Sequence, residues 1–358
     1  MSIKKIAESV GASPATVSRV LNNPEYRCKQ PELRDRIWKK AIELNYTPNV
    51  AARNLKLGVN EENTATTSVH LLVTSRDNKR MDPFFGESLR VIETEIHRCG
   101  CILSNLFFHP VFADANRYDA ENPDRIIKDM TGEAESGADG LIIVGDCCKK
   151  AFEKLEKAYG NLIMMNRSSS GLPVDEVICD GRKIAHTAVE YLYSLGHRKI
   201  GYVGVCKGEV RYTGYLEAVA AHGLDMTPEY VVAAGQTQED GYKSMMKLLK
   251  SEDCPTGIYC ANDVVALGVL KALGKYRNPY LRPSIISSDD IEEAQFSKPM
   301  LTTIRVPRDE MGRMAVKLLV DRIRGQHKTC MKLELESKLI IRESCHSVGD
   351  SMWSDYII

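Results

Sequence analysis

The sequence predicts two unlike parts: an N-terminal all-α helix-turn-helix headpiece with a hinge helix, then an α/β core of two parallel-sheet subdomains. Three observations carry this. Residues 3–45 show only the 3.6-residue apolar period of helices. From Val69 onward, short unbroken apolar runs alternate with amphipathic stretches, as in strands covered on both faces by helices. Charge divides the chain as well. The 48 Lys/Arg balance the 48 Asp/Glu, yet residues 1–58 hold eleven Lys/Arg against five Asp/Glu, and the rest 37 against 43. A basic head on an acidic body is the layout of a nucleic-acid-binding module joined to a domain with another task.

The head can be justified helix by helix. Ile3, Ile6, Ala7 and Val10 form one apolar stripe, which Gly11 ends. Ser13 is a good N-cap, and Pro14 falls at the first helical position, where its missing N–H costs nothing. The second helix buries Val17, Val20 and Leu21 and leaves Pro14, Ala15, Thr16, Ser18, Arg19 and Asn22 for contact with DNA. A third helix over Pro31–Asn45 sets Ile37, Ala41 and Leu44 on one side. Two short helices joined by a glycine turn and propped by a third make a helix-turn-helix, whose second helix enters the major groove. The guanidinium fork of Arg19 fits guanine O6 and N7. The competing reading is a three-helix interaction module with an ordinary charged surface.

Asn49–Leu57 is too short to be helical alone in water, since isolated helices below about 12 residues are marginal. It is expected to fold when two copies meet on DNA. Its apolar residues are Ala52, Leu55 and Leu57, and Leu55 beside Arg53 and Lys56 has the composition of a minor-groove wedge. VNEENTATT, 59–67, reads as a polar linker.

In the body, strands are expected at 69–74, 101–107, 140–145, 162–166, 177–180, 199–204, 230–235, 257–261 and 283–289. Helices are expected at 85–99, near 122–136, near 148–159, at 181–195, 211–222 and 307–325. About 280 residues of this pattern divide into two sheets. Ligands of open α/β sheets lie at the carboxyl ends of the strands, so two facing sheets would hold one in the cleft between them. The polar residues there are Asn166, Arg167, Asp180, Asn262, Asp263, Asp289 and Asp290, and Arg211 opens a helix. Carboxylates, amides and an arginine converging on a cleft suit a polyhydroxylated ligand, because each hydroxyl both donates and accepts. A capping or turn role is the simpler reading for Asp263 and Asp290.

Several classes are disfavoured. No apolar run approaches the roughly 18 residues that span a bilayer, so no membrane partner is expected. Lys4, Lys5 and Glu8 interrupt any signal-peptide core, which reads as a cytoplasmic protein. The eleven cysteines lack a paired C-x-x-C pattern and read as reduced bystanders, with no metal site and no cofactor. There is no P-loop, nucleophile elbow, HExxH or G-x-G-x-x-G after the first strand, so an enzyme is not expected.

IKKIAESVGASPATVSRVLNN resembles the headpiece of the lactose/galactose repressor family, and IELNYTPNVAARNLKLG resembles that family's third-helix end and hinge. YLYSLGHRKIGYVG, Arg211 in RYTGY, ANDVVALGVLKAL and LTTIRVPRDEMG extend the likeness over about 1–345. The resemblance implies base-reading positions at Pro14, Ala15 and Arg19, and minor-groove positions at Asn49, Ala52 and Leu55. It implies a core like the periplasmic sugar-binding proteins, crossed by the chain near 178–182, 304–308 and 333–337. It places Asn166, Arg211, Asn262 and Asp289 at ligand-contact positions, with Phe84, Phe85 and Gln236 lining the walls.

The implied organisation is a headpiece at 1–47, a hinge helix at 48–58, a linker at 59–67, a core at 68–345 and a tail at 346–358. Within the core, the first subdomain takes about 68–178 and 307–332, and the second about 179–304 and 333–345. Two departures from the family pattern stand out. Gln30-Pro31-Glu32-Leu33 replaces the usual Ser or Thr, and Ser287-Ser288 replaces a Gly-aromatic pair. The only tryptophans are Trp38 and Trp353, so any stacking on a sugar falls to Phe or Tyr.

The implied function is a repressor that reads a near-palindromic double-stranded DNA operator as a homodimer and answers to a small-molecule effector. A sugar is the first choice, and S-S-D-D-I and E-V-R-Y-T-G-Y look most like regulators of galactoside use. A nucleoside, a phosphosugar or a transport-type solute-binding role are the alternatives. The tail lacks a leucine heptad, which favours a dimer over a tetramer.

Overall fold

The computed structural model describes residues 3–22, 31–43, 67–74, 83–120, 123–132, 138–276 and 281–348. The hinge and linker residues 48–66, with Asn49, Ala52, Arg53 and Leu55, lie outside them, as do 349–358 of the tail.

The head is three helices, Ile3–Val10, Pro14–Asn22 and Pro31–Glu43. They enclose a small core of Ile6, Ala7, Val10, Val17, Val20, Leu21, Ile37 and Ala41. Gly11 has φ +67°, a conformation that glycine takes without strain, and this turns the chain between the first two helices. Ser13 Oγ then accepts from the Thr16 backbone N–H at 3.0 Å, satisfying one of the orphan donors of the second helix. Arg36 Nη2 donates to the Val10 carbonyl at 2.9 Å, tying the third helix to the end of the first.

The body is two six-stranded sheets. The first has the order β11-β5-β4-β3-β1-β2, with β1 Ser68–Val73, β2 Ile102–Phe108, β3 Gly140–Val144, β4 Leu162–Asn166, β5 Asp175–Ile178 and β11 Lys332–Glu334. The second has the order β12-β10-β9-β8-β6-β7, with β6 Ile200–Gly204, β7 Val231–Ala233, β8 Gly257–Cys260, β9 Ser284–Asp289, β10 Thr302–Arg305 and β12 Lys338–Ile340. Every pair is parallel except β10 with β12. The chain passes from the first sheet to the second after β5, returns between β10 and the helix Arg308–Ile323, and passes over again between β11 and β12.

Polar ties hold the sheets where apolar packing alone would not specify register. Asp175 of β5 is fully buried and accepts from Arg322 Nε at 2.6 Å, Arg322 Nη2 at 2.8 Å and the Met331 backbone N–H at 2.7 Å. His327 Nε2 adds a contact at 2.8 Å. Burial alone would raise this carboxyl; the bonds from Arg322, His327 and Met331 hold it below its ordinary value instead. In the second sheet His197 lies between Thr256, Ser284 and the carbonyl of His346. The histidine of the L-G-H motif is thus a clamp on the chain's last described turn.

Three expectations are adjusted. The helix expected near 122–136 is Pro123–Thr131, opened by a proline that starts a helix more readily than it continues one, and a separate short helix, Ala115–Ala120, precedes it. The strand expected at 230–235 is limited to Val231–Ala233. The short 3-10 turn Pro110–Ala113, which buries Phe112, and the three-residue edge strands β11 and β12 carry no periodicity and were not foreseen.

Candidate DNA-reading surface and effector cleft

On the second helix of the head, Val17, Val20 and Leu21 are buried, while Pro14, Ala15 and Arg19 are exposed and Thr16 and Ser18 are half-buried. Ala15 and Arg19 are four residues apart, so they share the face turned from the core. Asn22 closes the helix, and its side chain is outside the described residues.

The C-terminal ends of the parallel strands collect the polar residues of the body. Asn166 ends β4; its Nδ2 donates to Asp146 Oδ1 at 2.7 Å, and its Oδ1 accepts from the Arg167 N–H at 2.8 Å. Arg167 reaches from the first sheet to the second, with Nη2 2.9 Å from Asp289 Oδ1. Asp289 ends β9, is buried, and has φ +118°, strained for any residue but glycine. Such strain is concentrated at functional sites when the surroundings enforce it.

Arg211 is almost fully buried at the start of the helix Val210–Ala221. Its Nε donates to Glu209 Oε1 at 2.9 Å, Nη2 to Glu209 Oε2 at 3.0 Å and Nη1 to the Ala261 carbonyl at 2.5 Å. Burial would push the Glu209 carboxyl up, but the Arg211 guanidinium against it holds it down at about 2. Asn262 caps the helix Asp263–Lys275: its Oδ1 accepts from the Val265 N–H at 2.9 Å. Gly241 and Gly268 allow that helix to cross Gln238–Leu248 at backbone contact; a Cβ on Gly268 would stand 1.9 Å from the Gln238 carbonyl oxygen. Gln236 is half-buried just before Gln238–Leu248, and Phe84 lies in the helix Pro83–Arg98 with its side chain, like that of Phe85, outside the described residues.

The structure therefore brings Asn166, Arg167, Arg211, Asn262 and Asp289 into one group. The Ala261 carbonyl joins the Arg211 side to the β9 side, because Ser288 Oγ also donates to it, at 2.8 Å. Among the described residues no hydrogen bond ties Gln236 to that group. The Ser287-Ser288 departure has a physical account: both are fully buried, and Ser287 Oγ donates to Asp263 Oδ1 at 2.5 Å. Asp263 also accepts from Thr303 Oγ1 at 2.6 Å and the Ile291 N–H at 2.8 Å, so it ties β9, β10 and the following turn together. Burial, then the nearby Asp289 charge, push its carboxyl up to about 7. Asp290 joins the crossings, accepting from Arg305 and Arg342, each at 2.6 Å. Glu209 was not singled out from sequence; its signal was a carboxylate two residues before Arg211 at a helix start.

A helix-turn-helix head on a two-sheet core with a polar group between the sheets defines a DNA-binding regulator with a ligand-binding body. Comparison with known proteins agrees. Residues 2–49 match the model for bacterial regulatory proteins, lacI family, and 189–345 that for a periplasmic binding protein-like domain. The chain is 30% identical over 356 residues to the HTH-type transcriptional repressor PurR of Pasteurella multocida, covering 96% of this chain and 98% of that one. It is 30% identical over 363 residues to the HTH-type transcriptional repressor MelR of Bacillus subtilis, covering 96% and 97%. A LacI family transcriptional regulator from Enterococcus faecium with bound ribose superposes with a TM-score of 0.64 at 25% identity, covering 78% of this chain and 99% of that one. The chain belongs to the lacI family of bacterial regulatory proteins. It is a DNA-binding transcription repressor with a ligand-binding core, and not an enzyme. Among the described residues no helix is long and apolar enough to cross a membrane.

Proposed function

We propose that this repressor binds a near-palindromic operator as a homodimer and is controlled by a small sugar held between its two sheets, with a galactoside as the specific candidate. In this reading Pro14, Ala15, Thr16, Ser18, Arg19 and Asn22 face the major groove, and Asn49, Ala52, Arg53 and Leu55 the minor groove. Asn166, Arg211, Asn262 and Asp289 contact the effector, with Phe84 and Gln236 at its edge. The headpiece covers 1–47, the hinge 48–58 and the core 68–345.

The observation that carries the effector reading is the Arg167–Asp289 contact, which joins the ends of β4 and β9 across the two sheets. A ligand that inserts there changes the relation of the subdomains, and a change that both sites sense is what allosteric coupling requires. The ribose in the E. faecium relative supports a sugar. The operator requires a DNA-containing compartment, which accords with a cytoplasmic protein.

The test is selection of bound duplexes from a randomised pool with the full chain at fixed salt, followed by release assays with lactose, galactose, ribose and free purines. A two-fold palindrome released by a sugar supports the proposal. A palindrome released or tightened only by a purine overturns the sugar, and no enriched sequence overturns the operator reading.

A further inference from the structure

We propose that Glu209 sets the class of ligand, making the cleft a site for uncharged, hydroxyl-rich molecules and excluding phosphorylated or carboxylated ones. The inference rests on the cleft being the effector site. An anion-binding cleft needs either positive charge that the chain leaves unmatched or helix N-termini whose N–H groups are open. Here both are taken by the chain's own groups.

Consider the charges first. Arg211 is held along the Nε–Nη2 edge of its guanidinium by the two oxygens of Glu209, at 2.9 and 3.0 Å. Arg167 stands 2.9 Å from Asp289. The two arginines are matched by two carboxylates, and Asp146 and Asp180 lie at neighbouring strand ends. A phosphate approaching Arg211 must displace Glu209, which is itself largely buried, and would leave a carboxylate without its counter-charge where water cannot replace it.

The helix N-termini tell the same story. Glu209 Oε1 accepts from the Arg211 backbone N–H at 3.2 Å, so the same carboxylate that holds the fork also occupies the start of Val210–Ala221. Asp180 Oδ1 accepts from the Arg182 N–H at 2.8 Å at the start of Gly181–Ser194. Asn262 does so at the start of Asp263–Lys275. Three helix starts that could cradle an anion carry side-chain caps, two of them carboxylates.

What remains suits hydroxyls. Guanidinium has five N–H groups, and the bonds to Glu209 and Ala261 use three of those on Arg211. A neutral polyol can take an N–H there and give its own O–H to a carboxylate without changing the net charge of the site. Glu209 is thus a positioning and selecting residue: it orients the arginine and cancels its attraction for anions.

The test uses the full-length protein and Glu209→Gln in calorimetric titrations with matched pairs, galactose and galactose 6-phosphate, ribose and ribose 5-phosphate, and with inorganic phosphate alone. For the wild type, any neutral sugar that binds is expected to do so about 100-fold more tightly than its phosphate, with no binding of inorganic phosphate at about 10 mM. In Glu209→Gln that ratio should shrink about tenfold or more, and inorganic phosphate should bind. A wild type that binds a phosphorylated sugar as tightly as its neutral parent overturns the proposal. So does a Glu209→Gln protein with wild-type circular dichroism and an unchanged ratio. If Glu209→Gln does not fold, the wild-type ratios decide alone. If no sugar binds the wild type, the sugar reading fails separately, and inorganic phosphate then decides: binding to the variant alone upholds the charge argument, while binding to the wild type or to neither overturns it.

Discussion

His197 offers the most quantitative test of how the core is held. The ring is 1% exposed, with Nδ1 3.0 Å from Thr256 Oγ1 and Nε2 3.0 Å from the carbonyl oxygen of His346. A carbonyl can only accept, so Nε2 carries a proton. Burial favours the neutral imidazole, which leaves Nδ1 as the acceptor facing the Thr256 hydroxyl. Burial first, then the neighbouring His346 and Arg198, bring the ring down to about 4 from 6.5, against the bond to the His346 carbonyl. The unfolded ring takes up its proton near 6.5, and the folded ring not until about 4. Between those values the unfolded chain binds more protons, so stability contributed by His197 is fully present above pH 6.5 and lost as pH falls to about 4. The gap, at about 1.4 kcal/mol per pH unit, makes roughly 3 kcal/mol.

His197→Gln removes this titration. Urea unfolding followed by circular dichroism at pH 7 and pH 4.5 should show the variant less stable at pH 7 by about 1–3 kcal/mol, since glutamine does not meet all three partners. Its further loss on acidification should be roughly 2–3 kcal/mol smaller than that of the wild type, or about 1 M in the urea midpoint for a slope near 3 kcal/mol per M. His70, also buried and brought down to about 4, makes the same contribution in the other sheet and remains in the variant as an internal control. Equal acid sensitivity of His197→Gln and wild type would refute the assignment of a buried neutral ring.

Other substitutions probe other links. Asp175→Asn breaks a buried charged hub and should cost about 3–5 kcal/mol in urea unfolding at pH 7. Because that carboxyl lies below its ordinary value, its contribution should be present above about pH 4 and lost as pH falls further, which stability measurements down to pH 3 will check. Gly268→Ala forces a Cβ against the Gln238 carbonyl and should lower stability by about 1–3 kcal/mol or more, read from thermal melting. Asp289→Asn keeps the shape of the side chain while removing its charge. It should remove the sugar response in an operator-release assay while leaving operator affinity unchanged. Arg19→Ala should cost about 1–3 kcal/mol of discrimination at one base pair, measured by competition between operator variants.

Much of this molecule is written locally. The stripe Ile6, Ala7, Val10 and the cap at Ser13 lie within a few residues of what they organise, so the head's helices could be read directly. The core strands β3, β4 and β6 are unbroken apolar runs for the same reason: each is buried on both faces. The residues at their carboxyl ends were legible as a group because strand ends share one side of a parallel sheet. The edge strands β11 and β12 were not, because three residues, none of them buried, carry no alternating pattern. Nor was the short helix Ala115–Ala120, which lies ahead of the one expected near 122–136.

The sequence by itself determined the helical head, the two parallel sheets and the polar character of the cleft, since periodicity, capping and composition act over a few residues. Only the tertiary structure decided which charges meet. Arg167 and Asp289 are 122 positions apart, and nothing local couples them. Glu209 and Arg211 are neighbours, yet their pairing depends on burial against Ala261, fifty positions on. Charge pairing is set by distance and dielectric, and both are properties of the folded packing rather than of the order of residues.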